Sequence, residues 1–393
     1  MMLALALIAT FTQQTLTYMT ALVVPVAAPE LSKVMDVPVA MAGYHMGLLY
    51  GFSSISMLMA GGFIRKFGAI RMAQVSTLSM SVGLALGLTG EVWALALGAT
   101  LIGIFGSSST PASSDILARY APPKYAGLIF SFKQTAVPAG GILAGVLVPW
   151  LFHSFGWQGI FYGTSAMCLA LVVILQLFRP LFDDNRNPRH RINPLQAVAT
   201  LRSVLVPVPF RHLVYATFTY CGLQGIFAAF FVSFLVTVLG FDLVKAGAIF
   251  AISQVASVVA RIAWGWITDK SGSARSVLGV LGIAMAIAAV AAAIMQPGWT
   301  ELAVTLVAVA YSATAISWHG VVLAEVANIS KPESVATNTG GVLSFAVGGQ
   351  FVYPWVMGAI LALGGGFHIG FALGAVPALA VGLLFLIRRK LPG

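Results

Sequence analysis

Apolar runs of about twenty residues follow one another along almost the whole chain, separated by short polar breaks. Twelve such runs lie near residues 3–28, 40–63, 70–90, 93–118, 125–152, 157–178, 212–239, 243–268, 275–296, 300–327, 335–363 and 367–387. Crossing a bilayer takes about 20 apolar residues in a helix, so each run is long enough. In lipid the backbone N–H and C=O groups must be satisfied within the segment, so each run predicts a helix. The alternating pattern of a membrane barrel is absent. The first run has no basic residue ahead of it and is too long for the core of a signal peptide, so it is expected to stay as a helix.

The longest polar stretch, 179–211, holds Asp183, Asp184 and several arginines, with six runs on each side. The expected organisation is a six-helix bundle over 1–178, a linker over 179–211 and a second bundle over 212–393. The halves share a pattern. Gly61, Lys66, Gly68 and Arg71 follow the second run, and Gly265, Lys270, Gly272 and Arg275 follow the eighth, at an offset of 204. Asp115, Pro122 and Ala126 match Glu325, Pro332 and Ala336 at an offset of 210. Two sets in register at equivalent loops indicate an internal repeat, as transporter folds have.

Composition narrows the class. Hydrophobic residues make up 59% and charged residues 8%, against about 25% charged in a soluble domain. Mean hydropathy is +0.95. A soluble enzyme, a disordered chain and a disulfide scaffold are excluded. Cys168 and Cys221 sit in apolar runs and read as small buried hydrophobes. The net charge of +10 does not point to nucleic acid, because the basic residues lie between apolar runs. Seventeen of the 21 Lys and Arg fall in loops at one end of the bundle if the N-terminus is cytoplasmic, and only Lys33 and Lys245 fall at the other. That asymmetry predicts cytoplasmic N- and C-termini, in a bacterial inner membrane.

The stretch Gly265-Trp-Ile-Thr-Asp-Lys-Ser-Gly-Ser-Ala-Arg275 resembles the signature loop of the major facilitator superfamily. With twelve runs, a 6+6 repeat and a basic linker, the resemblance covers the whole chain. It implies an all-α membrane protein of twelve helices in two pseudo-symmetric bundles around a central cavity, open alternately to each side. It also implies that helices 1, 4, 7 and 10 line the cavity, and that helices 5 and 8 face each other where the bundles meet. In the signature loop Asp269, Arg275 and Glu325 are expected to cluster as gating and structural residues. The first half departs from the pattern: Arg65 stands in the acid's position, and Asp115 is expected to pair with Arg65 or Arg71.

Two cations fall inside runs: Lys133 in the fifth and Arg261 in the eighth. Each is about eight residues in, so about 12 Å deep at 1.5 Å per residue. The resemblance puts both on one wall of the cavity. A charge at the bilayer centre costs about 2.5–3.5 kcal/mol on insertion scales, and no acid lies mid-run to neutralise either one. An anionic substrate is the expected counter-charge. Arg supplies a two-pronged fork for carboxylate and Lys a point charge. The plainer alternative is that each side chain reaches back to the interface.

The helix-8 Val-Ala-Arg261 segment is similar to monocarboxylate transporters and oxalate-type exchangers, although Ser257 stands where the monocarboxylate pattern has Asp. The Lys133-Gln-Thr-Ala-Val-Pro run is similar to cyanate-permease-like members. Gln14 and Tyr18 on helix 1, Gln134, and Tyr220 and Gln224 on helix 7 are further substrate-binding candidates. Helix–helix hydrogen bonding is their alternative role. His319 is the candidate proton carrier.

No phosphate loop, dinucleotide motif, metal-spaced His/Cys set or nucleophile elbow is found, so neither an enzyme nor a cofactor is expected. The reading is a monomeric secondary transporter of a small organic anion, most simply a carboxylate, coupled to H⁺ or to exchange of another anion. A small inorganic anion such as cyanate or nitrate, or multidrug efflux, are the alternatives. A non-transporting membrane receptor or scaffold is disfavoured by the short loops.

Overall fold

The computed structural model describes residues 1–106, 108–122, 125–192, 195–331 and 334–387. Ser107, Lys124, Pro332, Glu333, Arg388, Arg389 and Lys390 lie outside the described residues. In the first half the elements are α1 (Met2–Met35), α2 (Met41–Met57), α3 (Ala60–Phe67), α4 (Ala69–Ala85), α5 (Val92–Gly106), α6 (Ser109–Tyr120), α7 (Ala126–Gln134) and α8 (Ala136–Phe182). In the second half they are α9 (Leu195–Leu205), α10 (Val208–Thr237), α11 (Leu243–Ser271), α12 (Ala274–Ala293), α13 (Glu301–Ala315), α14 (His319–Ile329), α15 (Val335–Ala362) and α16 (Phe367–Ile387). No strand occurs among the described residues.

These elements follow the twelve expected runs in order, and several runs are broken. Among the described residues, nine helices are long and apolar enough to cross a membrane, ten if α2 and α3, bent by 65°, are one span. One of the nine, Ile129–Phe182, holds both the fifth and sixth runs, joined at Gly156 where φ is +70°. The run of α1 is less apolar because it carries Gln13 and Gln14, and both are buried. The stretch expected as a linker contains a helix of its own: α9 docks on α15, with Val204 fully buried and Ser203 Oγ donating to Asn338 Oδ1 at 3.2 Å. Asp242, Ser273 and Thr300 cap the N-termini of α11, α12 and α13 with their side chains, as short polar residues at such positions do.

Helices up to Phe182 pack mainly among themselves, as do those from Val208 onward. The two sets meet through α1 with α10, α2 with α10 and α15, and α8 with α11. Glycines let backbones touch at two of these crossings. A Cβ on Gly43 would meet the Pro354 carbonyl, and one on Gly145 would lie 2.7 Å from the Gly247 carbonyl. At the linker end the short segments α3, α6, α7 and α14 pack chiefly within their own sets.

Asp183 ties the linker to the first set. Its carboxylate accepts from the Ile70 and Arg71 amides at 2.7 and 3.0 Å, so it caps α4, whose N-terminal dipole favours negative charge. Gly68 (φ +98°) leaves room for it, since a Cβ there would collide with the carboxylate.

Asp183→Ala is expected to lower stability by about 1 kcal/mol, the usual cost of a lost cap, read as a reduced melting temperature in detergent. An unchanged melting temperature would show the cap to be idle. A second expectation concerns the glycine seam. Gly247→Val should overpack the α8–α11 crossing by about 1–3 kcal/mol and separate the two helices there. Spin labels at Phe155→Cys and Val244→Cys, with Cys168 and Cys221 replaced by Ala, would report a longer distance. An unchanged distance distribution would overturn it.

Candidate functional site

The site begins with a proline. Pro138 has no N–H to offer the carbonyl four residues back, at Gln134, and the chain breaks there between α7 and α8 at Thr135. The freed Gln134 carbonyl accepts instead from Arg261 Nη1 on α11, at 3.2 Å. This bond crosses from one helix set to the other. It also places the guanidinium one residue along the backbone from Lys133, and the two charges are within electrostatic reach of each other.

Lys133 is 1% exposed. Its ammonium donates to Gln14 Oε1 at 3.1 Å, which also accepts from the Thr110 hydroxyl at 3.1 Å. Gln13 Oε1 accepts from Ser109 at 2.6 Å. Among the described residues no Asp or Glu lies within 4 Å of Lys133 or Arg261. Arg261 also keeps Nε and Nη2 buried without a partner. Two cations and a set of neutral dipoles thus face one another with no negative charge between them.

The other candidates separate into two groups. Gln14 belongs to the cationic group, as does Tyr18, which is within electrostatic reach of Arg261 and accepts from Gln224 Nε2 at 3.3 Å. His319 stacks on Trp318 with ring centroids 3.8 Å apart and is also within reach of Arg261. Gln134 contributes its carbonyl to Arg261. Tyr220 is turned away: fully buried, it donates its hydroxyl to the Leu278 carbonyl on α12 at 2.7 Å. Gln254, two turns before Arg261 on α11, was not singled out in the sequence. It packs against Gly141 of α8, with both amide atoms buried and unpartnered. A groove of about 240 Å³ beside α15 and α16, lined by Ile226, Tyr353 and Met357 among others, holds no charged side chain and offers nothing to an anion.

Residues 6–326 match the family model of the Major Facilitator Superfamily. The chain belongs to this superfamily. It is 25% identical over 392 residues to the gallate transporter of Pseudomonas putida, covering 91% of this chain and 84% of that one. It is 32% identical over 212 residues to the probable nitrate/nitrite transporter NarK2 of Mycobacterium tuberculosis (strain CDC 1551 / Oshkosh), covering 52% of this chain and 50% of that one. Its fold is similar to that of a bacterial homologue of the human lysosomal transporter Spinster, solved in an inward-facing, unoccupied conformation. That match has a TM-score of 0.75 and 17% identity, and covers 98% of this chain and 95% of that one.

At the linker end of this superfamily member, two of the three residues expected to cluster meet, Arg275 and Glu325, and Asp269 stands apart. Arg275 meets Glu325 at 3.4 Å with both side chains 6% exposed, and its Nη2 lies 3.1 Å from His212 Nδ1. Its guanidinium also covers the Phe385 ring at 4.9 Å. Asp269, expected in this cluster, is exposed and forms no ion pair among the described residues. Asp115 pairs with Arg119 at 3.5 Å, and not with Arg65 or Arg71. One turn along the same helix suffices for that contact, and Arg119 reaches on to Asp184 at 3.1 Å. Arg65 is exposed, and its carbonyl accepts from the Asn187 amide at 2.7 Å. Arg71 meets an acid through its amide, at Asp183. Asp183 was read from the sequence only as part of the linker. The one local signal was Gly68, a position that favours glycine beside a polar stretch.

Glu325→Ala should strand the Arg275 charge in a buried setting at a cost of about 3–5 kcal/mol. The double replacement Arg275→Met with Glu325→Leu should recover most of that. Thermal unfolding of the three proteins checks this, and equal losses in the single and double variants would contradict it.

Proposed function

We propose that this membrane transporter carries a small organic anion, most simply a carboxylate, by alternating access. Arg261 and Lys133 are its electrostatic core. The observation that carries this reading is the pair of cations with no carboxylate within 4 Å among the described residues, where Arg261 still has two unused nitrogens. A carboxylate fits that fork with two charge-assisted bonds, and Lys133 adds a second positive charge. Binding would relieve the repulsion between Lys133 on α7 and Arg261 on α11 and so favour movement of one set against the other. The similarity to the gallate transporter over 91% of the chain supports an organic anion. The similarity to NarK2 keeps a small inorganic anion such as nitrate as the second reading.

Coupling follows from energetics. Moving an anion into an inside-negative compartment costs about 2.3 kcal/mol per charge per 100 mV, so uptake needs H⁺ or exchange for another anion. His319 is the proposed proton carrier for the first route. The Lys and Arg asymmetry of the loops supports placing the linker and the termini on the cytoplasmic side of an inner membrane, and the protein is proposed to act as a monomer.

The test is binding and counterflow with purified protein, using acetate, benzoate, succinate, nitrate, cyanate and a cationic dye. A ligand at 100 times its Kd should stabilise the folded protein by about 2.7 kcal/mol. Carboxylates are expected to stabilise and exchange, and Arg261→Gln should weaken them about 100-fold, the scale of losing charge-assisted bonds of about 1.5–3 kcal/mol each. Lys133→Met should weaken them less. Stabilisation by nitrate or cyanate alone would move the substrate to inorganic anions. Equal response of wild type and Arg261→Gln would overturn the site.

A further inference from the structure

An acceptor-only carboxylate at Arg261 and Lys133 leaves part of this site without a partner. Gln224, 2% exposed, spends its Nε2 on the Tyr18 hydroxyl, while its Oε1 is buried and bonded to nothing. The His319 ring has the Ile316 carbonyl as a backbone partner for its N–H, and a neutral imidazole that donates one N–H still keeps one acceptor nitrogen. Both groups lie on elements packed against the cationic centre: Ser317, two residues before His319, donates to the Ser257 carbonyl one turn before Arg261 at 3.2 Å, and Gln224 bonds Tyr18, one turn along α1 from the Gln14 that holds Lys133. They belong to α10 and α14, on the second helix set. A buried acceptor that finds no donor costs stability, and a carboxylate cannot satisfy it. A hydroxyl on the same molecule can.

We propose that the substrate is a hydroxylated carboxylate, whose carboxylate meets Arg261 and Lys133 and whose hydroxyl donates to Gln224 Oε1 or the His319 ring. This rests on the anion reading and adds a second requirement to it. Arg261 recognises the charge. Gln224 and His319 recognise the hydroxyl and so set specificity. Sites built to bond a hydroxyl reject the analogue that lacks it, because the site's own buried groups are then left unpaired.

Calorimetric Kd values for two matched pairs test it: propionate against lactate, and benzoate against 4-hydroxybenzoate. Wild type should bind the hydroxylated member of at least one pair about tenfold or more tightly, within the range such sites reach. Gln224→Met keeps the length and loses the amide, and His319→Phe keeps the Trp318 stack and loses the acceptor. At least one of these should bring the ratio of the two Kd values within a pair down to about threefold or less, a loss of discrimination that a structural role, weakening both acids alike, would not produce. A wild-type preference near one in both pairs, or a preference kept in both variants, overturns the hydroxyl requirement and leaves the anion site standing. Failure of all four acids to bind wild type overturns the anion reading and this inference with it.

Discussion

The hydrogen bond from Arg261 to the Gln134 carbonyl is the contact on which the proposed anion site depends. It exists because Pro138 cannot donate to that carbonyl. A single residue that lacks an N–H therefore breaks the fifth transmembrane run and exposes an acceptor within the bundle. The guanidinium of the eighth run is drawn to that acceptor, and Lys133 is carried along because it precedes Gln134. The two helix sets are held together at this level by a neutral dipole on a charge. Such a bond orients the cation without cancelling it.

The rest of the bundle is arranged around that uncancelled charge. On the first set, Gln14 gathers the Lys133 ammonium and the Thr110 hydroxyl onto one oxygen. This brings α1, α6 and α7 into register beside the cation. Gln224 of the second set donates to Tyr18 of α1 across to the first, and the Trp318–His319 stack lies where the tenth run breaks between α13 and α14. Breaks in transmembrane helices are tolerated where the backbone is buried in protein or lines a cavity. Here the fifth run breaks at Thr135, beside Lys133 and the carbonyl that holds Arg261. Gly43 with Pro354 and Gly145 with Gly247 bring the two sets into backbone contact. Without a hydrophobic drive between helices in lipid, small residues at crossings supply the packing.

The ends of the helices follow a different logic. Arg275 and Glu325 share a buried setting with His212 and the Phe385 ring. The acids of the first half sit at the surface or on a helix N-terminus. The internal repeat is therefore kept in the order of helices and loops but not in the pairing of charges. Asp183 reaches α4 from the start of the linker, just past the end of α8, and Asp115 takes the arginine one turn along its own helix.

Periodicity and composition by themselves determined the twelve runs, the two-part organisation expected of them and the two cations inside them. Each of these follows from the cost of placing polar atoms in lipid, which acts on every residue wherever its neighbours lie. Lys133 and Arg261 stood out for the same reason: a charge in an apolar run is expensive whatever surrounds it. Only the tertiary structure decided which group meets which. That Gln134 acts through its carbonyl, that Tyr220 serves α12, that Asp269 stands apart and that Gln224 keeps a free oxygen all depend on where helices distant in sequence cross. A hydrogen bond is made or lost within a few tenths of an ångström, and the spacing of residues along one chain carries no such distance.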